Sequence, residues 1–132
     1  VTRYLDSSLH LYRKLRVEYR DIFAELEAKG IREIILVGDV DIAELAIMAA
    51  FDSNVTVNSL VNDQTNKNRV GPTPVANKLD DKYTGIVVIC DARSPQACFD
   101  SLAQRFIPEQ IFYPKAYHIS EINTLNDDEA VA

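Results

Sequence analysis

The sequence predicts an α/β fold of three layers, a parallel sheet covered by helices on both faces and preceded by a long N-terminal helix. Three observations predict it. Residues 2–29 contain no glycine or proline and stop at Gly30. Two later runs, IREIILV (31–37) and GIVVIC (85–90), are rich in β-branched apolar residues without strict alternation, as strands buried on both faces are. Helical segments follow both runs, and strands that alternate with helices pair in parallel. The chain has 132 residues, 47% of them apolar, which suits one domain with a core that needs no disulfide or metal.

The first helix would be about 42 Å long at 1.5 Å per residue. Leu5, Tyr12, Tyr19 and Leu26 recur every seven residues, Leu15 and Ile22 take the second seam position, and Leu9 and Phe23 widen the stripe. Ser8 interrupts this pattern. A helix so long outruns one small domain. Its first half is expected to be a dimer stalk or connector and its second half to pack on the domain. Arg13, Lys14, Arg16 and Arg20 read as a solvated face rather than a DNA patch.

Strand 31–37 leads to a helix at 41–51, with Asp41 as the expected N-cap and Glu44 completing a capping box. This helix is apolar nearly all round and must be covered on most sides. A second strand spans 55–61. Residues 63–78 read as a long polar surface loop, with a short extended piece near Val75. After strand 85–90, Ser94 caps a helix with Pro95 at its first position, running to about Phe106. A short strand at 111–113 stops at Pro114. The expected organisation is therefore a connecting helix at 1–30, an α/β domain at 31–118 and a flexible acidic tail at 119–132.

The charge balance, 14 basic against 20 acidic for a net of −6, argues against this chain gripping nucleic acid itself. Residues 1–30 hold six basic and five acidic side chains, so the negative charge lies in the remainder. No run of eighteen apolar residues predicts a membrane span, and no charged-then-apolar leader suggests secretion, so a cytoplasmic location is expected. Cys90 and Cys98 sit in apolar stretches, the usual place for reduced, buried thiols. His10 and His118 are far from both in sequence, and no zinc-site spacing is present.

In an open parallel sheet, ligands bind beyond the carboxyl ends of the strands. Three segments converge there: Gly38-Asp39-Val40-Asp41, Asn62-Asp63 with the loop after the second strand, and Asp91-Ala92-Arg93-Ser94. The candidate binding residues are Gly38, Asp39, Val40, Asp41, Asp63, Asp91, Arg93 and Ser94. The competing roles are helix capping for the aspartates at 39 and 41, and an ordinary loop position for Asp63. Lys67, Arg69 and Lys78 could join Arg93 in binding an anion, or could be scattered surface charge. No Tyr-x-x-x-Lys pair, G-x-S-x-G elbow or His with an evident partner is present, so no catalytic residue is assigned.

The turn after the first strand resembles that of dinucleotide-binding Rossmann proteins. Gly38 matches the first glycine, Ala43 the last small position, and Asp63 the distance of a ribose-binding acid. Val40 stands where the second glycine would let the backbone approach a pyrophosphate, and Asp39 and Asp41 place negative charge at the phosphate's position. Residues 31–114 as a whole resemble a small Rossmann-like module of the single-nucleotide or CoA-binding type, or the sugar-nucleotide-binding modules found near polysaccharide genes. NAD, CoA or a sugar nucleotide is what that resemblance implies. Residues 12–19 (YRKLRVEY) are similar to the long helix that follows the winged-helix domain in MarR-type transcriptional regulators. The first residue, Val1, is not Met, and the chain is read as a fragment with sequence upstream.

The expected function is a regulatory domain without catalysis, sensing an effector or assembling subunits. It would form a homodimer through residues 2–29, behind an upstream DNA-binding domain. The alternatives are a nucleotide-cofactor domain of an enzyme whose catalytic residues lie elsewhere, and a purely structural assembly domain.

Overall fold

The structure, a computed structural model, describes the backbone of residues 2–121 and the side chains of residues 9–121. Most of the expected tail at 119–132, and the side chains of Leu5 and Ser8, lie outside the described residues.

Helix α1 spans Thr2–Ala28 and ends in a Schellman motif. The N–H of Ile31 bonds Leu26 O at 3.0 Å and that of Gly30 bonds Glu27 O at 3.0 Å. Gly30 takes φ +78°, which glycine adopts without a Cβ penalty. There follow β1 (Glu33–Gly38), α2 (Val40–Ala50), β2 (Thr56–Val61), β3 (Arg69–Val70), β4 (Thr73–Ala76), β5 (Ile86–Cys90), α3 (Pro95–Leu102) and β6 (Ile111–Phe112). The sheet order is β3-β4-β2-β1-β5-β6. All neighbours pair in parallel except β3 and β4. With the antiparallel edge strand set aside, this is a Rossmann-like order that reverses direction between β1 and β5.

Two of the expected boundaries move. The long loop is half strand: residues 69–76 fold as a hairpin about Gly71 and Pro72, and β4 adds to β2 through Leu60–Val75 and Val61–Ala76. Strands of two and four residues are too short to show a period, which is why a loop was expected. Helix α3 ends at Leu102 rather than near Phe106. The chain continues in turns, with Phe106 N–H on Leu102 O at 2.8 Å, and the Arg105 guanidinium donates to the carbonyls of Asp80 and Tyr83.

The core forms on both sheet faces. Ile34, Leu36, Leu60, Val88 and Cys90 face a layer made by α1 and α2. Val87, Ile89 and Ile111 face α3 through Phe99 and Leu102. Alternate residues of β5 thus enter different clusters, as the two-residue period of a strand requires. The second half of α1 is part of this core. Leu15, Tyr19, Phe23 and Leu26 are fully buried and Ile22 nearly so, which places the seam from Leu15 onward against the chain's own sheet. The Tyr19 hydroxyl donates to Ile89 O at 2.7 Å and lies 3.0 Å from that of Tyr117, tying α1 to the middle of the sheet and to the segment after β6.

Candidate functional site

A crevice of 550 Å³ opens at the carboxyl ends of β1, β2 and β5. Four elements build it. The start of α2 supplies Asp39, Val40, Asp41 and Ile42, the turn after β2 supplies Asn62, Gln64 and Thr65, the turn after β5 supplies Ala92 and Arg93, and α1 supplies Tyr12.

The floor is set by backbone approach. Gly38 has φ +147°, and a Cβ there would lie 2.5 Å from the Cys90 carbonyl carbon and 2.6 Å from the Asp91 nitrogen. The ends of β1 and β5 can touch only because residue 38 has no side chain, and Asp39 N–H then bonds Cys90 O at 3.1 Å. Gly38 therefore serves strand contact. It lies beneath the crevice, where its carbonyl accepts from Asn62 Nδ2 at 2.7 Å.

Asn62 also organises the wall on its side. Its Oδ1 accepts from the N–H groups of Gln64 and Thr65 at 2.7 and 3.0 Å, an Asx turn that holds both in place. Asp63 does not line the crevice; its carboxylate takes Gln64 Nε2 at 3.0 Å. Across the opening, Asp91 Oδ1 accepts from the N–H groups of Arg93 and Ser94 at 3.0 and 2.9 Å. Asp91 and Ser94 thus shape the turn that presents Arg93.

The cap of α2 differs from expectation. The N-cap is Asp39, not Asp41, and α2 begins at Val40. Asp39 makes no side-chain cap bond, and its Oδ2 instead accepts from Ala92 N–H at 3.3 Å, linking the turns after β1 and β5. The sequence offers an aspartate at both positions, and the bond from Asp39 N–H to β5 selects the earlier one. Asp41 lies in the first turn of the helix and lines the crevice. Ser94 is at the N-cap of α3, with Pro95 following, but it too makes no side-chain cap bond.

Of the eight sequence-derived candidates, Asp39, Val40, Asp41 and Arg93 line the crevice together, while Gly38, Asp63, Asp91 and Ser94 support it. Lys67, Arg69 and Lys78 do not line it. The Arg69 guanidinium donates to Pro72 O and Lys78 pairs with Asp81 at 3.7 Å. Tyr12 is the residue that sequence reasoning missed. Its signal was the seven-residue spacing from Tyr19: two turns up a helix whose Tyr19 touches the end of β5 lies the rim of the strand ends.

The lining does not fit the pyrophosphate of a dinucleotide. Val40 adds a side chain where the backbone would have to approach, and Asp39 and Asp41 set two carboxylates at the positive end of α2. The groups present are two carboxylates, one guanidinium, two amides and two hydroxyls, donors and acceptors for a small polar molecule bearing hydroxyl or amino groups. Among the described residues, no group of three or more His, Cys, Asp and Glu side chains is placed to hold a metal ion.

Cys90 lies under this edge but is built to be inert. Burial is the largest cause raising its thiol well above the usual range, and Cys98, Asp39 and Asp91 add to it. Burial also pushes Cys98 up to about 12, with Asp91 and Asp39 adding. A thiolate is the nucleophile, so neither residue is activated. Cys90 is expected to resist a thiol reagent at pH 8 in the native protein and to react fully in denaturant, counted by mass spectrometry. Rapid native labelling of Cys90 would contradict the packing.

No protein-family model, curated protein or solved structure matches this chain.

Proposed function

We propose that this chain is a non-catalytic regulatory domain that senses a small polar effector in the strand-end crevice and self-associates through residues 2–29. In this reading it is the C-terminal part of a transcriptional regulator whose DNA-binding domain lies upstream. One observation carries the sensing role: Tyr12 of α1 lines the same crevice as the turns after β1, β2 and β5. An effector seated there touches the sheet and the long helix at once. If those contacts differ between two positions of the helix, occupancy biases one position over the other. The lining supplies what binding a small polar molecule needs: two carboxylates, a guanidinium, two amides and two hydroxyls. The two carboxylates and the net charge of −6 direct the domain away from direct nucleic-acid contact.

The test is a thermal-shift screen with polyols, amino compounds, nucleosides, nucleotide sugars, CoA and NAD. A ligand at about 100 times its Kd adds about 2.7 kcal/mol, a rise of several degrees. The expected hit is a hydroxyl- or amino-bearing molecule, and its shift falls sharply in Tyr12→Ala and Asp41→Asn. A hit that both variants leave unchanged, or no hit at all, contradicts the reading.

A nucleotide-cofactor domain of an enzyme is the second reading, favoured by the strand order. Val40→Gly should then create or improve NAD binding, measured by calorimetry. No binding by either form removes this reading.

A further inference from the structure

A second cleft, 920 Å³, runs along α1 beside Phe112 and Tyr113 at the end of edge strand β6, and shares no lining residue with the strand-end crevice. His10, Lys14, Val17, Asp21 and Glu25 all line it and all are exposed, Val17 at 56%. Their spacing places them on one stripe, about 140° round the helix from the core-facing residues at 100° per residue. The stripe therefore faces away from the core and borders, across the cleft, the sheet edge at Phe112 and Tyr113.

Its charges are ordered. Lys14 lies toward the N-terminus, with the His10 imidazole one turn before it, Asp21 and Glu25 lie toward the C-terminus, and the uncharged Val17 sits between them. Such a stripe is complementary to a reversed copy of itself. A twofold axis beside Val17 sets Lys14 against the partner subunit's Asp21 and His10 against the partner subunit's Glu25, each contact occurring twice. A parallel arrangement sets Lys14 against lysine and Asp21 against aspartate. Glu25 also pairs with Lys29 of its own helix at 3.1 Å, whereas Lys14 and Asp21 form no ion pair within the chain among the described residues. The Lys14–Asp21 pair therefore decides the register.

We propose that α1 docks antiparallel on α1 of a second copy of this chain along this stripe, with Val17 at the axis and Phe112 and Tyr113 at the apolar rim. The pairing rests on the reading of residues 2–29 as the self-association element, and it is independent of what the crevice binds. It also leaves the core-facing seam undisturbed, which a coiled coil through Leu15, Tyr19 and Ile22 would not.

Sedimentation equilibrium of the full chain tests it, with Lys14→Glu, Asp21→Lys, the double variant and an equimolar mixture of the two single variants. All these changes are on an exposed face, and circular dichroism verifies their folding. The wild type is expected to be a dimer, and each single reversal to weaken it about tenfold or more by placing like charges together twice. The double variant restores the dimer, because both pairs are again opposite. The mixture forms a heterodimer, since Glu at 14 then faces Lys at 21 and the native Asp21 faces the native Lys14. Single variants that dimerise like the wild type, or a mixture that stays monomeric, overturn the antiparallel register while leaving self-association through another face. A wild type that is monomeric at ~50 µM, weaker than a specific interface gives, removes the self-association reading as well. The ligand screen above is unaffected by either result.

Discussion

Gly38→Ala is expected to destabilise the protein by about 3 kcal/mol or more, enough to leave much of it unfolded at moderate temperature. Two effects add. At φ +147° an L-residue is strained whatever its surroundings. The added Cβ would also lie 2.5 Å from the Cys90 carbonyl carbon, and that atom is backbone at the end of the neighbouring strand, so it cannot turn aside as a side chain could. Relief requires the ends of β1 and β5 to separate. That motion would break the bond from Asp39 N–H to Cys90 O and move Asp39 relative to Ala92, so any surviving protein should lose the crevice geometry too. Gly30→Ala is the control. It has positive φ but nothing within 4 Å of the added atom, and should cost only about 1 kcal/mol. Chemical denaturation of both variants measures the difference. Equal losses would show that strand contact is not what residue 38 serves.

Tyr19→Ala is expected to cost about 3–5 kcal/mol, the range for emptying a fully buried aromatic site. Tyr19→Phe separates the hydroxyl from the ring. It strips a partner from Ile89 O and from Tyr117, for about 1–3 kcal/mol. The same region gives a pH dependence. Burial is the largest cause raising the Tyr19 and Tyr117 hydroxyls above the tyrosine range, and it raises both thiols as well. Each group keeps its proton longer in the folded state than in the unfolded state. Its contribution is therefore complete below the unfolded value and is lost as pH rises toward the folded one. Unfolded cysteine and tyrosine ionise near 9.0 and 10.0, so denaturation midpoints should be steady below about pH 9 and fall steeply above it. Tyr19→Phe should flatten the fall above pH 10. A midpoint unchanged to pH 11 would contradict the buried network.

The fold was legible because its strongest signals are local. Ile34–Val37 and Ile86–Cys90 are apolar at successive positions and rich in β-branched residues, as strands covered on both faces are, and both lie inside the sheet. Gly30 was read as the end of α1 and proved to be the left-handed residue of its C-terminal motif. Signals failed where two residues of one kind compete or where an element is too short. Asp39 and Asp41 are equally good caps by composition, and a bond across the sheet decides between them. The hairpin at 69–76 is held by pairing with β2, a contact distant in sequence.

The candidate site was half legible. Strand ends can be located from strand positions alone, so the turns after β1 and β5 were found. Tyr12 was not, because its place depends on where a helix of 27 residues lies across the sheet. That is settled by Leu15, Tyr19 and Ile22 entering the core together, and no local pattern reports the direction of such a docking.

Whether the strand-end crevice senses an effector and reports it to α1 is decided by an amide NMR titration of the labelled protein with the compound that gives the largest thermal shift. An effector seated between the strand ends and α1 should perturb amides clustered at Asp39–Ile42, Asn62–Thr65 and Ala92–Arg93, together with a separate set on α1 around Tyr12. Perturbations confined to the cleft beside Phe112 and Tyr113, or strand-end changes with none on α1, would contradict an effector site that reports to the long helix.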